Sequence, residues 1–199
     1  FALKTFGGHA VAAYGVALRI EQILLLPVLG MTGALLPIAG QNFGAQKYDR
    51  VREALKYCWG VGFAMTALAT PILFFGGTFV MALFSNDPDV IRAGSSYLRV
   101  DAFLFPIYMM LFSINSLLQA FKQAIWTLWI SVYRQGFAVA FFVWVFISFT
   151  DFGVQGVWFG IAAAVTSGWV LSLIILRNVA RTQIGGLLPS ALTTPPQQI

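Results

Sequence analysis

The sequence predicts an all-α fold, a polytopic membrane bundle of five transmembrane helices. Hydrophobic residues make up 59% of its 199 residues and charged residues only 10%, whereas about 25% of a typical soluble domain is charged. Five apolar stretches each reach the length of about 20 residues that an α-helix needs to cross a bilayer. Most of the charged residues fall in the short segments between these stretches, as expected for loops outside the membrane.

The predicted helices follow one another with short polar connections. Pro27 and Pro71 lie inside the first and second apolar runs, where proline is expected to kink a helix. The third helix begins with the amphipathic segment DVIRAGSSYLRVD, which we expect to lie in the membrane interface before the span from Ala102 to Ala120. The predicted bounds, in chain order, are residues 10–41, 51–84, 88–121, 124–150 and 154–179.

Tryptophans mark the predicted ends of the last two helices. Trp126 and Trp129 lie near one end of the fourth helix, and Trp158 lies near an end of the fifth. This placement is typical of the aromatic belts at the two membrane interfaces. Plain contact with lipid tails is the alternative interpretation.

The distribution of charge predicts an orientation. The loop after the first helix, the turn at Lys122 and the end of the fifth helix near Arg181 lie on one side, and they hold most of the lysines and arginines. The positive-inside rule places that side, and with it the C-terminus, in the cytoplasm. Residues 183–199 are rich in Pro, Gly, Ser and Thr, which predicts a disordered cytoplasmic tail. The chain starts at Phe1 without the features of a signal peptide, so we expect a fragment of a longer protein.

Glu21 is the candidate functional residue. It lies eleven residues beyond Ala10, which places its carboxylate about 16 Å into the bilayer at a rise of 1.5 Å per residue. An ionisable group at that depth is costly and marks an ion or substrate pathway by default. A structural salt bridge or hydrogen bond is the alternative. Arg19 is the nearest cation in sequence, but residues two apart point to different sides of a helix, so it is a poor direct partner.

Several other polar residues are candidates for the wall of a cavity. Gln22 would extend the network of Glu21 or hold helices together. Asn115 and Gln119 are four residues apart and share a helix face. Arg134 lies about ten residues into the fourth helix, where it snorkels to the interface or faces the protein interior. Tyr108 belongs to an aromatic and methionine-rich stretch that suits an adaptable apolar wall, although lipid-facing packing is commoner.

Composition and motifs exclude several classes of function. No nucleophile elbow, HExxH, P-loop or dinucleotide fingerprint is found, so we expect no enzyme and no cofactor. A single cysteine, Cys58, and a single histidine, His9, argue against a disulfide framework and a metal site. The net charge of +5 is explained by membrane topology, so no nucleic-acid partner is expected.

Four segments in a fixed order resemble the multidrug and toxic compound extrusion (MATE) family of secondary transporters. They are AVAAYGVALRIEQILLLPVLGMTGALLPIAGQNFGAQKYDRVREAL, FSNDPDVIRAGSSYLRVDAF, SLLQAFKQ and VQGVWFGIAAAV. The resemblance implies two lobes of six helices, of which residues 1–182 form part of the C-terminal lobe, helices eight to twelve. It also implies antiport of a drug-like molecule against protons or sodium by alternating access. The implied partners are that small molecule, membrane lipid and the missing N-terminal lobe, and the implied location is a bacterial inner membrane.

One departure from the family pattern concerns the coupling acid. The family's C-lobe acid on the third helix is missing, since no Asp or Glu lies between Asp101 and Asp151. Glu21 is then predicted to be the only acid in the core of a span, with its partners outside this chain. Either Glu21 takes over cation coupling, or coupling resides in the absent lobe. A lipid-linked oligosaccharide flippase, which would need several basic residues besides Arg19 and Arg134, is the runner-up, and a non-transporting membrane scaffold is a further alternative.

Overall fold

The structure is a computed structural model that describes residues 7–149 and 152–187. Within these ranges the chain is helical and contains no strand. The elements are α1 (Gly8–Gly44), α2 (Tyr48–Ala82), α3 (Pro88–Ala102), α4 (Phe105–Ala120), α5 (Ala124–Val132), a π-helical segment (Tyr133–Ala138), α6 (Val139–Phe149) and α7 (Val154–Ile184).

Four to five candidate membrane spans account for these elements. Three of them are the single helices α1, α2 and α7, and a fourth is the continuous stretch Ala124–Phe149, all long and apolar enough to cross a membrane. The fifth is the pair α3 and α4, which meet at an angle of 57°. The predicted all-α membrane bundle is therefore confirmed, with four candidate spans, or the predicted five where α3 and α4 together form one broken span.

The break in the third span corrects the prediction of one continuous helix over residues 88–121. α3 ends at Ala102, and α4 restarts at Phe105 with Pro106 in its first turn. Proline has no N–H for the helical ladder, and its ring clashes with the carbonyl four residues earlier, here that of Ala102. The hydroxyl of Thr70 on α2 lies 3.1 Å from this carbonyl oxygen and 2.8 Å from that of Thr66, so its one hydrogen is shared between the two acceptors. A side chain of a neighbouring helix thus offers a partner to the group that the break sets free.

α3, which contains the amphipathic segment of the sequence prediction, is part of the bundle. It packs against α1, α2 and α7 and buries Tyr97, Leu98 and Asp101. Its first turn is capped by the side chain of Asp87, which accepts hydrogen bonds from the backbone of Asp89 and Val90.

Close contacts between helices pass through small residues. At Gly160 of α7, an added Cβ would lie 2.7 Å from the Cα and 2.9 Å from the backbone nitrogen of Val143 on α6. The two backbones meet here without room for a side chain, as is common where membrane helices pack. This contact holds the last two spans together near the segment that joins them.

Trp158 corrects the prediction of an aromatic belt at the start of the last helix. Its side chain is only 1% exposed, so neither the belt nor plain lipid contact describes it. Trp126 and Trp129 are 41% and 57% exposed, on the outer surface of the bundle. The difference arises because Trp158 packs between Tyr14 and Tyr97 of two other helices.

The last helix extends past its predicted end at residue 179 to Ile184. Gly185 follows in the left-handed conformation with φ of 72°, which is typical of a helix C-terminus. Arg52 of α2 donates to the carbonyls of Ile184 and Gly186 at 2.5 and 2.9 Å, so it satisfies acceptors that the helix end leaves free. Most of the predicted disordered tail, from residue 188 onward, lies outside the described residues.

Candidate functional site

Glu21 lies on the buried face of α1, with 8% of the residue exposed. Its neighbours on that face are small or apolar and include Ala17, Ile20 and Leu25. Its Oε2 atom accepts a hydrogen bond of 2.7 Å from the hydroxyl of Tyr97 on α3. The prediction that the partners of Glu21 lie outside this chain is therefore wrong for at least one of them. Sequence reasoning missed Tyr97 because the two residues are 76 positions apart.

Asp101 is a second buried acid, and it corrects the prediction that Glu21 is the only one. Its side chain is 0% exposed, and it interacts electrostatically with Glu21. Among the residues that the structure describes, none donates a hydrogen bond of ordinary geometry to either carboxylate oxygen. The hydroxyl of Tyr108 is a neighbouring donor that interacts with this carboxylate from α4.

One signal in the sequence could have revealed the burial of Asp101. The apolar face of α3 carries Val90, Gly94, Tyr97 and Leu98, and a helical period of 3.6 continues that face to Asp101. An acid on the apolar face of an amphipathic helix is unusual. The sequence predicts Asp101 in the interface, as the last residue of the segment DVIRAGSSYLRVD, whereas its position on the apolar face of α3 places it in the core.

Three aromatic rings from three helices enclose the hydrogen bond between Tyr97 and Glu21. The centroid of the Tyr14 ring lies 5.3 Å from that of Tyr97 and 5.7 Å from that of Trp158. The rings of Tyr97 and Trp158 lie 5.1 Å apart. Edge-to-face and stacked pairs at these distances are favourable. The two ring contacts of Tyr97 position its ring, and with it the hydroxyl that donates to Glu21.

Arg134 faces the protein interior, one of the two alternatives that its sequence position allows. It lies in the π-helical segment and is half-buried. Its aliphatic part packs on Gly168 of α7, where an added Cβ would lie 3.0 Å from both Cγ and Cδ of the arginine. Arg134 interacts electrostatically with Glu21 and Tyr108, but it forms an ion pair with no acid of the described ranges. π-helical segments are frequent at functional sites.

The predicted site residues thus fall into two groups. Glu21, Tyr108 and Arg134 come together with the unpredicted Tyr97 and Asp101, and we call these five residues the acidic cluster.

The four other predicted residues lie elsewhere. Arg19 and Gln22 are exposed on the far side of α1. Asn115 is half-buried, and its side-chain oxygen has no hydrogen-bond partner in the described part of the chain. Gln119 is exposed and donates to the backbone oxygen of Asn115 at 3.2 Å. In residues 7–149 and 152–187, none of the four forms a hydrogen bond or an ion pair with the acidic cluster.

The fold and this cluster define an integral membrane protein with ionisable groups inside a helical bundle. The sequence profile of the MatE family matches residues 1–145. The chain therefore belongs to the MatE family, a family of membrane transporters, and the resemblance drawn from the sequence is confirmed.

Individual relatives and one solved structure agree with this assignment. The chain is 28% identical over 196 residues to the probable multidrug resistance protein NorM of Geobacillus kaustophilus, which covers 94% of this chain and 41% of that protein. It is 36% identical over 94 residues to the FAD transporter of Shewanella oneidensis, covering 46% of this chain and 20% of that protein. A multidrug resistance MATE transporter solved in its outward-facing conformation superposes with a TM-score of 0.82 at 20% identity, covering 92% of this chain and 40% of the other. The chain thus spans less than half the length of these proteins.

Proposed function

We propose that the chain is part of the C-terminal lobe of a secondary transporter that exports drug-like molecules in exchange for protons or sodium ions. The transporter would alternate between two states that open to opposite sides, with cation and drug favouring different states. We place it in a bacterial cytoplasmic membrane with the C-terminus in the cytoplasm, on the charge distribution of the loops. The second lobe would supply the other half of the cavity wall.

The observation that carries this proposal is the position of Glu21. Its carboxylate is buried in an apolar bundle and bonded to a tyrosine of another helix. Buried ionisable groups are costly to keep in a membrane and are commonly functional. A carboxylate that joins α1 to α3 is also placed to change helix packing when it binds or loses a cation. We therefore assign cation coupling to Glu21.

The names of the relatives support a drug as the cargo, since the NorM relative is called a probable multidrug resistance protein. A large anionic cargo, as in an oligosaccharide flippase, would call for a cluster of basic side chains. The two candidates do not form one, because Arg19 is exposed and Arg134 lies beside Glu21. The geometry therefore favours drug export over the flippase.

The test is Glu21→Gln in the full-length transporter that carries this chain. The substitution keeps the shape and removes the charge. Coupling free energies between linked sites are about 1–3 kcal/mol, or about 5- to 150-fold, so we expect the initial rate of cation-driven efflux to fall at least about fivefold. The measurement is efflux of a fluorescent organic cation from proteoliposomes with an imposed proton or sodium gradient.

The matched control is Glu53→Gln, at the second of the two glutamates in the sequence, which is exposed on α2. We expect wild-type efflux from it. Wild-type efflux from Glu21→Gln at equal amounts of folded protein would contradict the coupling role. A gradient of one ion that drives efflux while the other does not would identify the coupling cation.

A further inference from the structure

Asp101 has no role in the function proposed above, yet it is the most deeply buried acid of the described residues. Glu21 is 8% exposed and has a hydrogen-bond donor, whereas Asp101 is 0% exposed and lacks one of ordinary geometry. Buried carboxylates are normally hydrogen-bonded or paired with a cation. The surroundings of this side chain must therefore explain how it is tolerated.

The groups that face Asp101 come from every neighbouring helix. Tyr97 lies four residues before it on α3, hence on the same face, and donates to Glu21 of α1. Tyr108 of α4 and Tyr14 of α1 are the other titratable groups within electrostatic range of the two acids. Arg134 is the only cation of the acidic cluster.

Within the described residues, the two remaining helices offer no charge to the end of α3. α2 contacts it through Thr70, whose hydroxyl donates to the carbonyls of Thr66 and Ala102 and is not available to Asp101. α7 contacts it through the indole ring of Trp158. Among the described residues, Arg134 forms an ion pair with neither Glu21 nor Asp101. Two negative carboxylates would then repel each other without a direct counter-ion.

The helix break also disfavours a negative charge at this position. Asp101 lies in the last turn of α3, which ends at Ala102. The C-terminal end of a helix carries a partial negative charge, so it disfavours a carboxylate and favours a positive charge or a neutral acid. The same position that buries Asp101 thus opposes its ionised form. Neighbouring carboxylates in other proteins resolve such a conflict by sharing one proton.

We propose that Glu21 and Asp101 form a carboxylate pair that holds one exchangeable proton, with Asp101 as the main proton carrier. Protonation converts the carboxylate of Asp101 to a neutral acid, and release returns the proton to water when the site opens. A proton needs only one acceptor atom. A metal ion needs several ligands, and no third His, Cys, Asp or Glu joins these two acids in the part of the chain that the structure describes. The role of this proton in transport rests on the function proposed above. The presence of one proton on the pair does not depend on that function.

Infrared difference spectroscopy of the full-length protein in liposomes tests the occupancy directly. The carbonyl stretch of a protonated carboxylic acid is separate from the bands of carboxylates, and it moves on exchange into heavy water. We expect the spectrum at neutral pH to contain one such band that is lost in Asp101→Asn. The matched control is Asp89→Asn, an exposed aspartate in the first turn of the same helix, which should leave the band in place.

A second variant keeps the test decisive if Asp101→Asn does not fold. In Glu21→Gln the Asp101 band should remain but change frequency, because its partner carboxylate is gone. An unchanged band in Glu21→Gln, or a band that persists in Asp101→Asn, overturns the pair. If the wild-type full-length protein shows no cation-driven efflux while the Asp101 band is present, the transport function is wrong and the proton pair stands. If cation-driven efflux occurs without any Asp101 band, the proton pair is wrong and the transport function stands.

Discussion

Tyr97→Phe removes one hydroxyl from the acidic cluster and leaves its packing in place. Phenylalanine keeps the ring that contacts Tyr14 and Trp158, and the site is only 2% exposed, so little else changes. The substitution deletes the 2.7 Å hydrogen bond to Glu21. A buried group that loses its partner costs about 1–3 kcal/mol. We therefore expect the free energy of unfolding to fall by that amount, which raises the unfolded fraction about 5- to 150-fold.

A double-mutant cycle isolates this one bond. Glu21→Met has a similar length and no strong acceptor, so Tyr97→Phe should cost much less in its presence. We expect an interaction energy of about 1–3 kcal/mol from reversible unfolding of the purified protein in mixed micelles. Tyr57→Phe is the matched control, because Tyr57 is 68% exposed, and its effect should stay within about 0.5 kcal/mol. An interaction energy below about 0.5 kcal/mol would refute the view that this bond joins α1 to α3.

Two further predictions concern helix packing and pH. Gly160→Ala should lower the free energy of unfolding by about 1–3 kcal/mol, because its Cβ would lie 2.7 Å from the backbone of α6. Gly30→Ala, where nothing lies within 4 Å, should be neutral or stabilising, and equal melting temperatures of the two variants would contradict the close contact. Outside the spans, the backbone N–H of Asp89, and then His9, lower the pKa of the Asp87 carboxyl. The resulting stabilisation is complete above the ordinary pKa range of aspartate and is lost as the pH falls through the lowered pKa. The difference in melting temperature between wild type and Asp87→Ala should therefore be present at neutral pH and shrink in acid, and a difference of equal size in acid would contradict this assignment.

The candidate spans followed from the sequence because their length is a local quantity, and the expected depth of Glu21 in the bilayer rests on a local quantity as well. A bilayer sets the minimum length of an apolar run, and the helical rise converts a position in that run into a depth. Neither quantity needs knowledge of the neighbouring helices. The ordered segments around RIEQ and GQNFGA were equally local, and they led to the family.

The contacts between helices could not be predicted in this way. Asp101 was expected in the interface as the last residue of an amphipathic segment, and Trp158 in an aromatic belt because it lies near a helix end. Both are buried, because α3 packs against α1, α2 and α7. Asp101 lies on the packed face of α3, and Trp158 of α7 contacts Tyr97 on that face. The break at Pro106 was not predicted, and Thr70, whose hydroxyl contacts the carbonyl of Ala102, lies 32 residues before that residue.

The sequence by itself determined that this protein is a membrane bundle and that one glutamate lies deep inside it. Apolar length and the position of a charge along a helix are properties of the chain that hold before any helix meets another. Only the tertiary structure decided that Glu21 bonds to Tyr97 and shares its surroundings with Asp101. Those relations depend on how α1, α3 and α4 cross, and the crossing is set by side-chain packing among residues far apart in sequence.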